Sequence, residues 1–188
     1  PPYEVIESNY LSKLELARLK LVEHALELYW NKPRALRTLK YVTLHYSIFD
    51  FLLGLGECFA EKHEFHKYTI ANVYERLLVF AQRQYPDDNI LQELIDLDFC
   101  LQQKERPRPM LLKEVDAGEK AALMETFQAN AVEPARGKLR YLALAIGFNW
   151  AVFEREQRVV SGDYRLLLCY GGVAGAEVFC LQEVGVVV

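Results

Sequence analysis

Leu139-Arg140-Tyr141-Leu142-Ala143-Leu144-Ala145-Ile146, followed at once by Gly147-Phe148-Asn149, is where the texture of this chain changes. Upstream, apolar residues recur at helical spacing; from here onward they come in short aromatic and aliphatic runs. Those runs continue as Trp150 to Glu154, Tyr164 to Tyr170 and Glu177 to Glu183, separated by Ser161-Gly162-Asp163 and Gly171-Gly172. Such punctuation suits turns between antiparallel strands. The chain therefore reads as α+β. A helical bundle of about five helices occupies residues 1–113. A short helix and a small antiparallel meander of three or four strands follow over 114–188, packed with the bundle as one unit.

Working back from that boundary, the helices declare themselves by their ends. Residues 1–11 read as an extended lead-in. Ser12-Lys13-Leu14-Glu15 has capping-box spacing and opens a helix to about Trp30, which Asn31-Lys32-Pro33 breaks. A second helix is expected from about Arg34 to His45. A third, from about Ser47 to Glu61, is almost wholly apolar and is expected at the centre of the core. Thr69 or Asn72 opens a fourth through Tyr85. Pro86-Asp87-Asp88 stops it and caps a fifth, which Arg106-Pro107-Arg108-Pro109 ends, leaving an extended segment. Asp116 to Glu119 is a second capping-box spacing, opening a short helix to about Gln128.

Composition narrows the function classes. A formal net charge of −4 argues against bulk attraction to nucleic acid or anionic membrane, and no run of apolar residues is long enough to span a bilayer. Cys58, Cys100, Cys169 and Cys180 match neither zinc-knuckle nor disulfide-framework spacing and read as buried thiols, in keeping with a cytoplasmic protein. The chain opens on Pro1-Pro2-Tyr3 without Met, as expected of a domain excised from a longer protein.

Few residues carry chemistry. His63 and His66 have an i, i+3 spacing but no evident third ligand, so a solvated helix end is the plainer reading. Gly171-Gly172-Val173-Ala174-Gly175 lacks the Lys-Ser/Thr of a phosphate loop and reads as a hairpin turn. Asp96 and Asp98 point to different faces of their helix, which excludes a paired acid and base; Asp98 is expected to be half-buried against Arg106 or Arg108. Between Glu27 and Asp50 there is no acidic residue, and Arg34, Arg37 and Tyr41 share a helical face. That stripe can meet a phosphate, a carboxylate or an acidic partner, or can be a solvated face opposite Ala35, Leu39 and Val42. No nucleophile elbow or other self-contained catalytic constellation is present.

Several phrases carry a resemblance: Pro1-Pro2-Tyr3-Glu4-Val5, Arg18-Leu19-Lys20, Tyr29-Trp30-Asn31, Arg37-Thr38-Leu39, Ser47 to Phe51, and Leu97-Asp98-Phe99-Cys100-Leu101 leading into Arg106-Pro107-Arg108-Pro109. They resemble the domain of unknown function that follows the radical SAM barrel in large bacterial cobalamin-binding proteins. The resemblance covers most of residues 1–113 and fades in the strands. It implies upstream radical SAM and cobalamin-binding domains as same-chain partners, with a four-iron four-sulfur cluster, S-adenosylmethionine and cobalamin held there. No Cys-x3-Cys-x2-Cys loop and no Asp-x-His-x-x-Gly phrase occurs in these 188 residues, so no catalytic, cofactor-binding or metal-binding residue is carried over. The expected role is a non-catalytic accessory domain capping the barrel, with Tyr29, Arg34, Arg37 and Tyr41 as the substrate- or barrel-facing contacts. The alternative is an independent helical protein-interaction module.

Overall fold

The structure, a computed structural model, describes residues 10–60, 68–130, 139–172 and 175–181. Its elements run α1 (Lys13–Leu26), a π-helical turn (Glu27–Asn31), α2 (Leu36–His45), α3 (Ile48–Ala60), α4 (Ile70–Gln84), α5 (Asn89–Gln102), α6 (Ala117–Asn130), β1 (Arg140–Phe148), α7 (Trp150–Glu156), β2 (Ser161–Gly172) and β3 (Gly175–Leu181). The architecture is α+β, with an antiparallel sheet ordered β1-β2-β3.

The helix starts follow local chemistry. At α1 the Glu15 amide donates to Ser12 Oγ at 3.3 Å, while the Ser12 amide donates to the Glu15 carboxylate at 2.8 Å, so two orphan amides are satisfied reciprocally. Thr69 caps α4 and Asp88 caps α5, accepting from the amides of Asn72 and Leu91. Asp116 likewise accepts from the Glu119 amide at the start of α6. The second helix begins two residues later than its spacing suggests. Arg34 and Ala35 instead turn back, their amides donating to the Tyr29 carbonyl.

α5 is the centre of the molecule. From Leu91 to Cys100 every residue except Glu93 is buried. The sequence points to α3 for this place, and α3 does bury Phe51, Leu55 and Phe59, but Phe49 on it remains exposed. The difference arises because α5 has bundle helices α2 and α4 on one side and strands β1 and β3 on the other. An element packed on both sides must be apolar nearly all round.

The sheet obeys period-two alternation. Leu142, Leu144 and Ile146 on β1, with Leu166, Leu168 and Tyr170 on β2, belong to the same buried cluster as α5. Ala143, Leu167 and Cys169 are also buried but lie outside that cluster, on the opposite face. On that side α6 approaches through Phe127 against Tyr141 and an ion pair between Glu119 and Arg165 at 3.1 Å. The outer edge of β1 is not left open. The Ala145 amide donates to the Lys113 carbonyl and the Val115 amide to the Ala143 carbonyl, so the extended segment after α5 pairs along it.

One expected strand is a helix. Trp150 to Glu154 reads as an aromatic run, yet it forms α7: Asn149 caps it by accepting from the Val152 amide at 3.0 Å, and Gln157 closes it in the left-handed conformation at φ 53°. Trp150 and Phe153, three apart, are its buried residues, which is helical spacing. The sheet therefore has three strands among the described residues. The His63 and His66 pair, the lead-in up to residue 9 and the Val173-Ala174 tip lie outside the described residues.

Candidate functional site

Two places bring polar side chains together. The first is the junction of α2 and α5. Ala35 at the N-cap of α2 has no side chain that can accept, and the cap comes instead from Asp98, sixty residues away. The Asp98 carboxylate, 1% exposed, accepts from the amides of Arg37 and Thr38 at 3.1 and 2.9 Å and from the Thr38 hydroxyl at 2.9 Å. Burial pushes its carboxyl up to about 6, against the opposing pull of the Thr38 amide and the Arg37 guanidinium.

Arg37 extends this junction toward the sheet. Its guanidinium reaches Asp98 at 3.4 Å and Glu154 of α7 at 2.6 Å, and lies over the Trp150 ring at 5.1 Å from the centroid. Arg37 thus meets carboxylates, as its stripe allows, but they belong to this chain. The expected partner of Asp98 was Arg106 or Arg108. Arg106 instead pairs with Glu114 at 2.5 Å and donates to the Tyr141 carbonyl.

Tyr29, Arg34, Arg37 and Tyr41 do not form one surface. Tyr29 is fully buried, its hydroxyl donating to the Val73 carbonyl at 2.7 Å, because the π-helical turn rotates it into the core. Tyr41 is 6% exposed and donates to Asp88 at 3.0 Å; Tyr46 joins it on the same carboxylate at 2.6 Å. Arg34 and Arg37 are half-buried. Of the four, Arg34 keeps a guanidinium that makes no ion pair among the described residues. Its carbonyl accepts from the Tyr74 hydroxyl.

Asp96 shows why the two aspartates of α5 are not an acid and base pair. It points away from Asp98 and accepts from the amides of Met110, Leu111 and Leu112 at 2.9, 2.8 and 2.7 Å. Both carboxylates hold backbone amides, Asp98 at the start of α2 and Asp96 along the segment that runs to the β1 edge.

The second place is a cleft of about 420 Å³ between the first turns of α5, the 111–113 segment, the end of β1 and the start of β2 at Gly162-Asp163. Leu111, Leu112, Ala145 and Ile146 supply apolar wall, and Glu93, the exception on α5, lines it with Gln92 and Lys113. The Gly147 amide donates to Glu93 Oε2 at 2.7 Å, at the register shift between Ile146 and Phe148. A methyl on Gly147 would stand 3.1 Å from Glu93 Oε1, so the carboxylate would have to give by a few tenths of an ångström to admit one. Burial raises the Glu93 carboxyl above the usual carboxylate range, partly offset by the Gly147 amide. Sequence reading passes over Glu93, since one Glu on a helix carries no spacing signal. The visible hint is a lone charge at a position that interrupts an apolar face.

No group of three His, Cys, Asp or Glu able to hold a metal ion occurs among the described residues. Cys58, Cys100 and Cys169 stand as thiols, outside any disulfide, on three separate elements, and burial pushes the Cys100 thiol up, away from the thiolate a cluster needs. No helix of the described residues is long and apolar enough to cross a membrane.

A family model described as "Protein of unknown function (DUF4080)" matches residues 1–140. No curated protein and no solved structure matches the chain.

Proposed function

We propose, from the premise that this chain belongs to the DUF4080 family, that it is a non-catalytic C-terminal accessory domain of a cobalamin-dependent radical SAM enzyme. It caps the barrel and shapes the substrate side. The observation that carries this reading is how the phrases of the resemblance are used. Arg37-Thr38 and Leu97-Asp98-Phe99 are far apart in the chain yet bind one another, their polar groups spent on the start of α2. Residues so engaged build a scaffold and leave none over for proton transfer or nucleophilic attack.

On this reading the four-iron four-sulfur cluster, S-adenosylmethionine and cobalamin belong to upstream domains of the same chain. Cys58, Cys100 and Cys169 fit none of them: they stand on α3, α5 and β2, and none is part of a cluster-ligand spacing. What this domain supplies is closure, since radical intermediates need a cavity from which water is excluded. Among the residues expected to face the barrel, Arg34 retains a guanidinium without an ion pair among the described residues.

The test is made on the parent protein. Removal of the segment corresponding to residues 10–181 is expected to leave reductive cleavage of S-adenosylmethionine in place and to abolish its coupling to product. A parent reading frame without a Cys-x3-Cys-x2-Cys loop upstream, or full coupled turnover after removal, overturns the proposal.

A further inference from the structure

We propose that the cleft between α5 and the end of β1 binds a small organic cation, an ammonium carried on a compact apolar body, through the Glu93 carboxylate. This goes beyond the accessory-domain reading and does not depend on it, because it rests on the residues of the cleft alone.

Glu93 has acceptor capacity to spare. Its Oε2 accepts from the Gly147 amide at 2.7 Å, and no other hydrogen bond or ion pair reaches this carboxylate among the described residues. Asp96 and Asp98 on the same helix each accept three bonds or more. Glu93 thus lines the cleft with acceptor capacity left over, and a cation that reaches it gains charge-assisted hydrogen bonds.

The cleft itself selects the ligand class. Its volume of about 420 Å³ falls in the range of small-molecule sites. Leu112 and Ile146 are buried core side chains that hold the cleft's floor in place, and the exposed Leu111 beside them offers apolar surface. An apolar body against this surface sets its charged end beside Glu93. An anion is the poorer fit. Lys113 is the cleft's only lysine or arginine, whereas Glu93 and Asp163 both line it, and Asp163 is already engaged with Arg165. Lys113 is exposed and makes no ion pair with Glu93 among the described residues, so it leaves the carboxylate available.

The structure also provides a reporter. Because the Gly147 amide donates to the carboxylate that the ligand would engage, its resonance should respond directly. The experiment titrates the full 188-residue chain with benzylammonium at neutral pH, followed by backbone amide shifts, with benzyl alcohol as the uncharged match. The expected result is a saturable shift at Gly147 and at Leu111 to Lys113 with benzylammonium and none with benzyl alcohol. Glu93→Gln, of the same size and still able to accept from Gly147, should weaken binding about tenfold or more. Lowering the pH until Glu93 protonates should do the same in the wild type. Equal shifts from benzyl alcohol, no shift at Gly147, or undiminished binding by a folded Glu93→Gln protein would each overturn the proposal. If the variant fails to fold, the comparison of charged and uncharged probes on the wild type decides alone.

Discussion

Asp98 binds Thr38 twice, accepting from its amide and from its hydroxyl, each at 2.9 Å, across sixty residues of chain. The start of one helix is thus built by the middle of another. With Arg37 carrying the contact on to Glu154 and Trp150 of α7, a single junction ties the bundle to the element inserted in the sheet.

Replacing that carboxylate should be costly. Asp98→Ala leaves the amides of Arg37 and Thr38 without an acceptor in a buried place, and a loss of about 2–4 kcal/mol is expected. Arg37→Ala, which removes a half-exposed ion pair and a ring contact, should cost about 1 kcal/mol. Urea unfolding of the three proteins at neutral pH measures both; equal stability of wild type and Asp98→Ala would contradict the junction's role.

The pH dependence has a defined sign. The Asp98 carboxyl sits at about 6 in the folded chain against an ordinary 3.8. Folding therefore favours its protonated form. That contribution is fully present below pH of about 4 and is lost as the pH rises through about 6, by an amount not exceeding about 3 kcal/mol. The stability difference between wild type and Asp98→Asn should accordingly fall between these limits. Glu93, whose carboxyl is also raised, is present in both proteins and cancels. Parallel stability curves for the two proteins from pH 4 to 7 would refute the assignment.

Asp96 makes a local prediction. Its three bonds hold the amides of Met110, Leu111 and Leu112. In Asp96→Ala these amides should lose hydrogen-exchange protection by about tenfold or more, and the pairing of Lys113 and Val115 with β1 should loosen with them. Unchanged protection at 110–112 would show that other contacts hold the segment.

Two glycines of α3 should behave differently. A methyl on Gly56 would overlap the Leu21 carbonyl oxygen, against backbone of α1 that cannot move without shifting the helix. Gly56→Ala is expected to destabilise by about 2–3 kcal/mol. At Gly54 the nearest atoms belong to the Phe80 ring at 3.1 Å, which can tilt by a few tenths of an ångström. There the helix propensity gained by alanine offsets part of the strain, and a change within about 1 kcal/mol is expected. Thermal melts of the two variants compare them directly, and a Gly56→Ala protein as stable as Gly54→Ala would refute the close helix contact.

Where the sequence was sufficient, the interaction was short in chain length. Ser12 with Glu15, Thr69 with Asn72, Asp88 with Leu91 and Asp116 with Glu119 are all three residues apart, so the helix starts could be read directly. The strand runs 139–146 and 164–170 are legible for the same reason, but Gly147-Phe148, Ser161 to Asp163 and Gly171-Gly172, which read as turns, belong to the strands themselves. Trp150 to Glu154 misled because its aromatic content outweighed a quieter signal, the Asn149 cap, that also lay in the sequence.

The sequence by itself determined the α+β class, the order of most elements and the absence of a recognisable catalytic motif, because periodicity and capping act over one or two turns of chain. Only the tertiary structure decided that α5 rather than α3 lies at the centre, that Tyr29 and Tyr41 face inward, that Asp98 meets Arg37 rather than Arg106, and that Glu93 lines a cleft. These depend on contacts between separate elements, chosen by which apolar faces can be buried together, and no local spacing records that choice.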